Sequence, residues 1–509
     1  MPRARSGSIP GSILMTSCAL LLAAGQAGAA GQPITLQSRD LVQAAAAAPV
    51  GGALRLENVQ VAETGEAATF ALERFQVFAD DAEITLHGDG GRTTVLPAPK
   101  NTYFRGTVEG EPGSRVFLTV LAGGATQGIV SRGGESYLIG GDGGDIRDLG
   151  NGAPAKALGG PLEMRRIDPL MLKAAKGEGF ACGDEQLPQR PQPFEALTLA
   201  GGGEAPVAKA ATGALPGFTA RVAIETDFEY YALFNNATNA TNYIGNLLGY
   251  SSTIYTNELN TSLMVQSVSL WTTSSDPWTQ TGSTLCGLME FGRYWNLNHT
   301  GTPRTIAHFM SGKGLGGGIA WIGVLCSGGF STSANCPGIP TDANWGGGYG
   351  FTASLTGQFD VNHPTVMWDI VAVSHEIGHN FNSPHTHCYN GLDGNASPID
   401  QCRSGESDGH GACYSGSQVL PGPAGSGSGT IMSYCHLLSG GYGNITLNFG
   451  TGHPFGVAPG REAARMSSFV VSSAASNPSC LAFTSGSSAI FTNGFESGVL
   501  PGAWSGKAP

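Results

Sequence analysis

Along residues 31 to about 180, apolar and polar positions alternate in short runs such as Ala68 to Val77 and Arg115 to Leu121. Turn signals at Gly88 to Gly91, Glu111-Pro112-Gly113 and Gly140 to Gly144 separate them. A period of two places successive side chains on opposite faces of a strand, so this stretch predicts a compact β-rich unit. From Pro188 to Gly217 the period disappears, and Pro, Ala and Gly around Gly201-Gly202-Gly203 read as an exposed linker. Further on, strands are expected at Ala220 to Thr226, Ser262 to Trp271, Ile306 to Met310, Ile319 to Leu325 and Tyr349 to Leu355. Helices are expected at Phe228 to Phe234, with Asp227 as its cap, at Cys286 to Trp295 and at Gly460 to Ser472. The clearest helix follows Pro364, which suits a first helical turn. Val366, Ile370, Val373, Ile377 and Phe381 make one apolar stripe there. Strands and helices are mixed rather than strictly alternating, which makes the fold class α+β.

Composition supports a folded chain: of 509 residues, 41% are apolar and 13% charged, and 78 glycines favour ordered loops and β-structure over helix bundles. A net charge of −12 leaves no basic stripe to displace counterions from phosphates, which argues against nucleic acid. Arg3 and Arg5 precede the apolar run Ile13 to Ala24, and Ala27-Gly28-Ala29 offers a small-residue cleavage site. The run is shorter than the roughly 20 residues that span a bilayer, so an export signal is expected over residues 1–30 rather than an anchor. The mature chain is then secreted, extracellular and free of the membrane.

Removing the signal with Cys18 leaves an odd number of cysteines. Cys286, Cys326, Cys336, Cys388, Cys402, Cys413, Cys435 and Cys480 lie in one stretch and can pair in an oxidising compartment. Cys326 with Cys336, closing a local loop, and Cys286 with Cys480 are the expected pairs. Cys182, in FACGDE, stands alone far upstream.

The segment VSHEIGHNFNSPHTH lies on the strongest helix. His375 and His379 are four residues apart, so both imidazoles leave one face and can reach one ion. Glu376 is turned about 100° away, close enough to address a water at that ion without replacing a ligand. A third nitrogen must come from beyond the helix. His385 supplies it if the chain reverses after Phe381, and Pro384 stops the helix from continuing. His387 is the competing third ligand, while His363, His410, His436 and His453 have no comparable spacing. The reversal needs a positive φ, which Asn382 tolerates better than any residue except glycine. Without an ion, these would be ordinary helix histidines.

The motif resembles that of the metzincin zinc peptidases, HExxHxxGxxH followed by a Met-turn, matched here by His375, Glu376, His379 and His385, with Met432 in GTIMSYC. HEIGHNFNSPH is most similar to the reprolysin/ADAM family, in a bacterial reprolysin-like form. The likeness spans roughly Ala220 to Leu481, and YFRGTVEGEPGSRVFL resembles the propeptide of that family. It departs at Asn382, where the pattern has Gly, and at Thr386, where reprolysins usually carry Asp.

The resemblance implies a metzincin-like catalytic domain, a twisted mixed sheet with a zinc-site helix, at residues 218–484. Before it come a β-rich propeptide at 31–187 and the linker at 188–217; a Gly- and Ser-rich tail occupies 485–509. One catalytic Zn2+ is held by His375, His379 and His385, with Glu376 as general base and Met432 as an apolar floor. Tyr434 has the spacing at which astacins and serralysins place an oxyanion-stabilising tyrosine, although reprolysins usually lack it, and a packed core tyrosine is the other reading. Cys182-Gly183 resembles the core of a cysteine switch, in which a propeptide thiolate takes the metal's open position; an unpaired or intermolecular cysteine is the alternative. The implied protein is a secreted, monomeric zinc endopeptidase made as a zymogen, with protein or peptide substrates and its own propeptide as inhibitor. Calcium is left open, with no residue pattern arguing for it. The alternative from another class is a catalytically silent adhesion or binding module on the same scaffold, which need not have kept Glu376.

Overall fold

A computed structural model describes residues 33–140, 162–169, 180–187, 216–332, 334–341, 343–360, 364–406 and 412–481. The export signal, the tail, all but the end of the linker, His363 and His410 lie outside them.

The N-terminal region runs through β1 (Ile34–Gln37), α1 (Leu41–Ala45), β2 (Ala53–Val61), β3 (Ala67–Phe75), β4 (Phe78–His87) and β5 (Thr93–Pro97). It continues with β6 (Thr102–Val108), β7 (Glu111–Val120), β8 (Thr126–Arg132), β9 (Glu135–Gly140), β10 (Glu163–Arg166) and the two-residue β11 (Ala181–Cys182). Eight strands form a sheet in the order β1-β2-β10-β9-β8-β7-β6-β3, and β3 returns to β2, so the sheet closes on itself. Alternation along β7 explains the interior: Val116 and Leu118 pack inside with Phe70, Phe104 and Ile139. Phe117 points the other way, into the core of the rest of the molecule. Both faces of β7 are thus buried, which is why Val116 to Leu121 is nearly all apolar.

The second region contains β12 (Phe218–Thr226), α2 (Phe228–Ala232), α3 (Ala237–Leu259), β13 (Thr261–Trp271), α4 (Thr284–Asn298) and β14 (Ile306–Met310). Then follow β15 (Gly317–Ala320), β16 (Phe330–Thr332), β17 (Ala343–Gly346), β18 (Tyr349–Thr352), α5 (Val366–Asn380) and α6 (Arg461–Ser476). Its eight-stranded sheet has the order β11-β15-β18-β14-β12-β13-β4-β5, with β15 antiparallel to β18 and the strands from β18 through β4 parallel. Both ends of this sheet come from the N-terminal region, β11 at one edge and the β4–β5 hairpin at the other.

Asp227 caps α2 by accepting from the Tyr230 N–H at 2.7 Å. Helix α5 begins at Val366 with Thr365 as its N-cap, so Pro364 lies just outside the first turn rather than in it. Two strands stop short of their expected ends, at Ala320 and Thr352.

The disulfides correct two expected pairs. Cys286 bonds Cys336 and Cys326 bonds Cys480, with Cα separations of 5.4 and 5.9 Å. Between Cys326 and Cys336 the chain leaves to form β16, which pairs with β17, and this carries Cys336 to the first turn of α4. Cys388–Cys413 and Cys402–Cys435 complete the set, and Cys182 is left unbonded and buried.

Candidate metal centre

Helix α5 is buried along its whole length and delivers His375 and His379 to one place, with their Nε2 atoms 3.1 Å apart. After Phe381 the chain turns back through Asn382 at φ 74°, whose N–H donates to the His379 carbonyl at 2.8 Å. The turn brings His385 Nε2 to 3.0 Å from His375 Nε2. His387 does not join them: its Nε2 lies 3.0 Å from Glu406 and its ring stacks on His385 at 5.5 Å.

The other nitrogens fix the tautomers. His375 Nδ1 faces the Ile431 carbonyl at 2.8 Å, His379 Nδ1 the Ser383 carbonyl at 2.7 Å and His385 Nδ1 a Glu406 carboxylate oxygen at 2.5 Å. A carbonyl or carboxylate oxygen only accepts, so each Nδ1 carries the proton and each Nε2 presents a lone pair. Burial, then the neighbouring His379 and His385, hold His375 well below the usual imidazole range and therefore neutral. Converging lone pairs at about 3 Å repel unless a cation lies among them, which makes this donor set fit a nitrogen-preferring metal ion such as zinc. Burial works against charging Glu406, but the ring N–H groups of His385 and His387 that face it outweigh burial and keep the carboxyl well below the usual range.

Two other side chains complete the centre. Cys182 Sγ lies 3.4 Å from His379 Nε2 and 3.4 Å from Glu376 Oε2, and the cysteine groups with the three histidines as potential ligands. Glu376 is fully buried, and burial pushes its carboxyl well above the usual range. It lies against β15, where a Cβ on Gly318 would stand 2.4 Å from Oε1. Met432 passes beneath the helix at Gly378, where a Cβ would stand 2.5 Å from the methionine sulfur. Thr386, at the position where the family pattern has Asp, bonds Asp400 Oδ2 at 2.5 Å, so a carboxylate reaches the same corner from elsewhere in the chain.

The arm carrying Cys182 is bound as a short strand. β11 pairs parallel with β15, Ala181 opposite Gly317 and Cys182 opposite Gly318. A Cβ on Gly317 would stand 1.8 Å from the Ala181 carbonyl oxygen, so glycine is required for the approach. The Tyr434 hydroxyl donates to the Cys182 carbonyl at 3.1 Å and accepts from the Cys182 N–H at 3.0 Å. Phe180 fills an aromatic recess against His375, Trp368 and His436 at ring separations of 4.8, 6.0 and 5.8 Å, and the His436 ring faces its carbonyl at 2.8 Å. Asp184 is buried nearby, with a carboxylate oxygen 3.6 Å from His385 Nδ1.

The structure thus brings together His375, Glu376, His379, His385, Met432, Tyr434 and Cys182, all expected from sequence. It adds Glu406, Phe180, Asp184 and His436, for which only the clustering of polar and aromatic residues near cysteines gave any signal.

Three histidine nitrogens open to one point, with a buried carboxyl beside them, define the class of metal-dependent hydrolytic centres. Residues 218–445, a little under half of the chain, match the Reprolysin_5 model, metallo-peptidase family M12, so this part of the chain is similar to a reprolysin-like metallopeptidase domain. No curated protein matches the chain. Among solved structures, the crystal structure of metalloproteinase-II from Bacteroides fragilis is similar at 12% identity, over 74% of this chain and 93% of that one, with a TM-score of 0.34.

Proposed function

We propose that the protein is a secreted zinc endopeptidase made as a zymogen, in which His375, His379 and His385 hold one zinc ion and Cys182 occupies its remaining position until the arm leaves. The observation that carries this reading is the convergence of three Nε2 atoms and the Cys182 sulfur beside Glu376. Export rests on the charge and apolar pattern of residues 1–30. When bound, zinc acts as a Lewis acid that acidifies water and polarises a peptide carbonyl. Glu376 takes the proton from the attacking water and hands it to the amine nitrogen as the C–N bond breaks, leaving a free carboxylate and a free amine. With the arm withdrawn, the β15 edge is open to pair with an extended substrate, and the recess filled by Phe180 is open to an apolar side chain. The Tyr434 hydroxyl, released from Cys182, is placed to donate to the oxyanion.

The test compares the protein, after proteolytic removal of the arm that carries Cys182, with the identically processed Glu376→Gln variant on a denatured protein substrate, with and without a zinc chelator. We expect the variant to keep its zinc and lose about 10²- to 10⁴-fold in turnover. Equal cleavage by both would overturn the reading.

A further inference from the structure

We propose that the N-terminal barrel is a lasting subunit of the finished enzyme, held by the far edge of the catalytic sheet after the linker is cut, and that only the arm carrying Phe180 and Cys182 leaves the metal site. The interaction surface is formed by β13 and one face of α3, and its partner is the chain's own N-terminal fragment.

Three observations carry this. First, the β4–β5 hairpin belongs to the catalytic sheet. β4 pairs parallel with β13 from Ser267 opposite Glu83 to Trp271 opposite His87, and the Val265 N–H donates to the Val77 carbonyl at 2.7 Å. The hairpin lies in sequence between β3 and β6, so it cannot depart without the barrel. Second, the two regions share one core: Phe78, Phe117 and Ile129 pack in the same cluster as Leu248, Leu263 and Val265. Third, α3 is shaped for the barrel. A Cβ on Gly245 would stand 2.4 Å from the Tyr103 hydroxyl, and one on Gly249 would stand 2.6 Å from the Phe117 ring. Polar bonds cross the same seam, a half-buried one from Arg115 to Glu258 at 3.1 Å and a buried one from Asn246 to Gln127 at 2.7 Å.

The arm is held far more lightly, by two paired residues on β15 and the bonds around Phe180 and Cys182. Releasing it leaves the barrel seam intact, whereas releasing the barrel opens a core and strips β13 of its neighbour.

The experiment uses the full chain with one specific protease site placed in residues 193–207 and a second in 170–179. After both cuts under native conditions, gel filtration in about 1 M NaCl separates charge-held from core-held fragments. We expect the two large fragments to co-elute, with amide exchange at Val265 and Leu270 changed by less than about threefold. Elution of the N-terminal fragment alone, or exchange at these amides faster by about a hundredfold or more, would overturn the proposal. Neither readout depends on peptidase activity, so the outcome is independent of the functional reading.

Discussion

At Asn382 the backbone takes φ 74°, and three residues later His385 stands 3.0 Å from His375. Among the described residues the Asn382 side-chain oxygen has no hydrogen-bond partner, so the turn uses asparagine's tolerance of this angle rather than a local side-chain bond. Asn382→Gly should therefore leave zinc affinity unchanged. Asn382→Val adds strain of about 1–2 kcal/mol and should weaken zinc about tenfold, as read by competition with a chromophoric chelator. Cys182→Ala should give a precursor that cleaves substrate before any processing, whereas a mutant precursor as silent as the wild type would remove the thiol from the inhibitory contact. His375, Glu376 and His379 were legible because helical periodicity fixes their relative positions from sequence alone. Glu406 and Asp184 were not, because their approach to His385 is decided by loop packing, for which no spacing rule exists.

Helix α3 marks the same limit among elements. It is the longest helix among the described residues, and Ala240, Ile244, Leu247, Leu248, Ile254, Tyr255 and Leu259 recur in it at helical spacing, but the Asn, Thr, Ser and Gly residues between them are weak helix formers that obscure the pattern. Its ends do carry signals, with Asn236 accepting from the Asn239 N–H at 2.9 Å and Asn260 closing the helix at φ 49°. Such asparagines also occur in turns, and among so many weak helix formers they are not decisive. Short α2 is the converse case, since its cap was readable at Asp227. The same carboxylate also accepts from the Gly312 N–H at 3.0 Å and from the Ser311 hydroxyl, joining α2 to the end of β14. Asp227→Ala thus removes a cap and leaves the buried Ser311 hydroxyl and the half-buried Gly312 N–H without this acceptor. It should destabilise the protein by about 2–4 kcal/mol in denaturant unfolding, beyond the ~1 kcal/mol typical of an ordinary cap.

Across the whole molecule, the alternating pattern of the first third predicts one compact unit, but its second face is buried against α3 and β13, a partnership that strand periodicity cannot reveal. The interior of the second region also contains two buried ionisable groups, Glu225 and His308, whose titration opposes folding in opposite pH directions. Burial lifts the Glu225 carboxyl from 4.5 to about 8, with the indole N–H groups of Trp271 and Trp295 pulling it down less strongly. A carboxyl raised in the folded state contributes stability that is complete below its unfolded value and is lost as pH climbs toward about 8. Burial lowers His308 from 6.5 to about 3, so its contribution is complete above 6.5 and is lost as pH falls toward 3. The two slopes cancel between 4.5 and 6.5, leaving a plateau with a decline on either side. The alkaline decline belongs to Glu225 and can be isolated by difference. In thermal unfolding of the chelator-treated protein, wild-type Tm should fall from pH 6.5 to 8 more steeply than that of Glu225→Gln, whose amide keeps acceptor capacity for the indoles without a charge to bury. Parallel slopes in the two proteins would mean that Glu225 is ionised in the folded state throughout, and that its indole partners outweigh its burial.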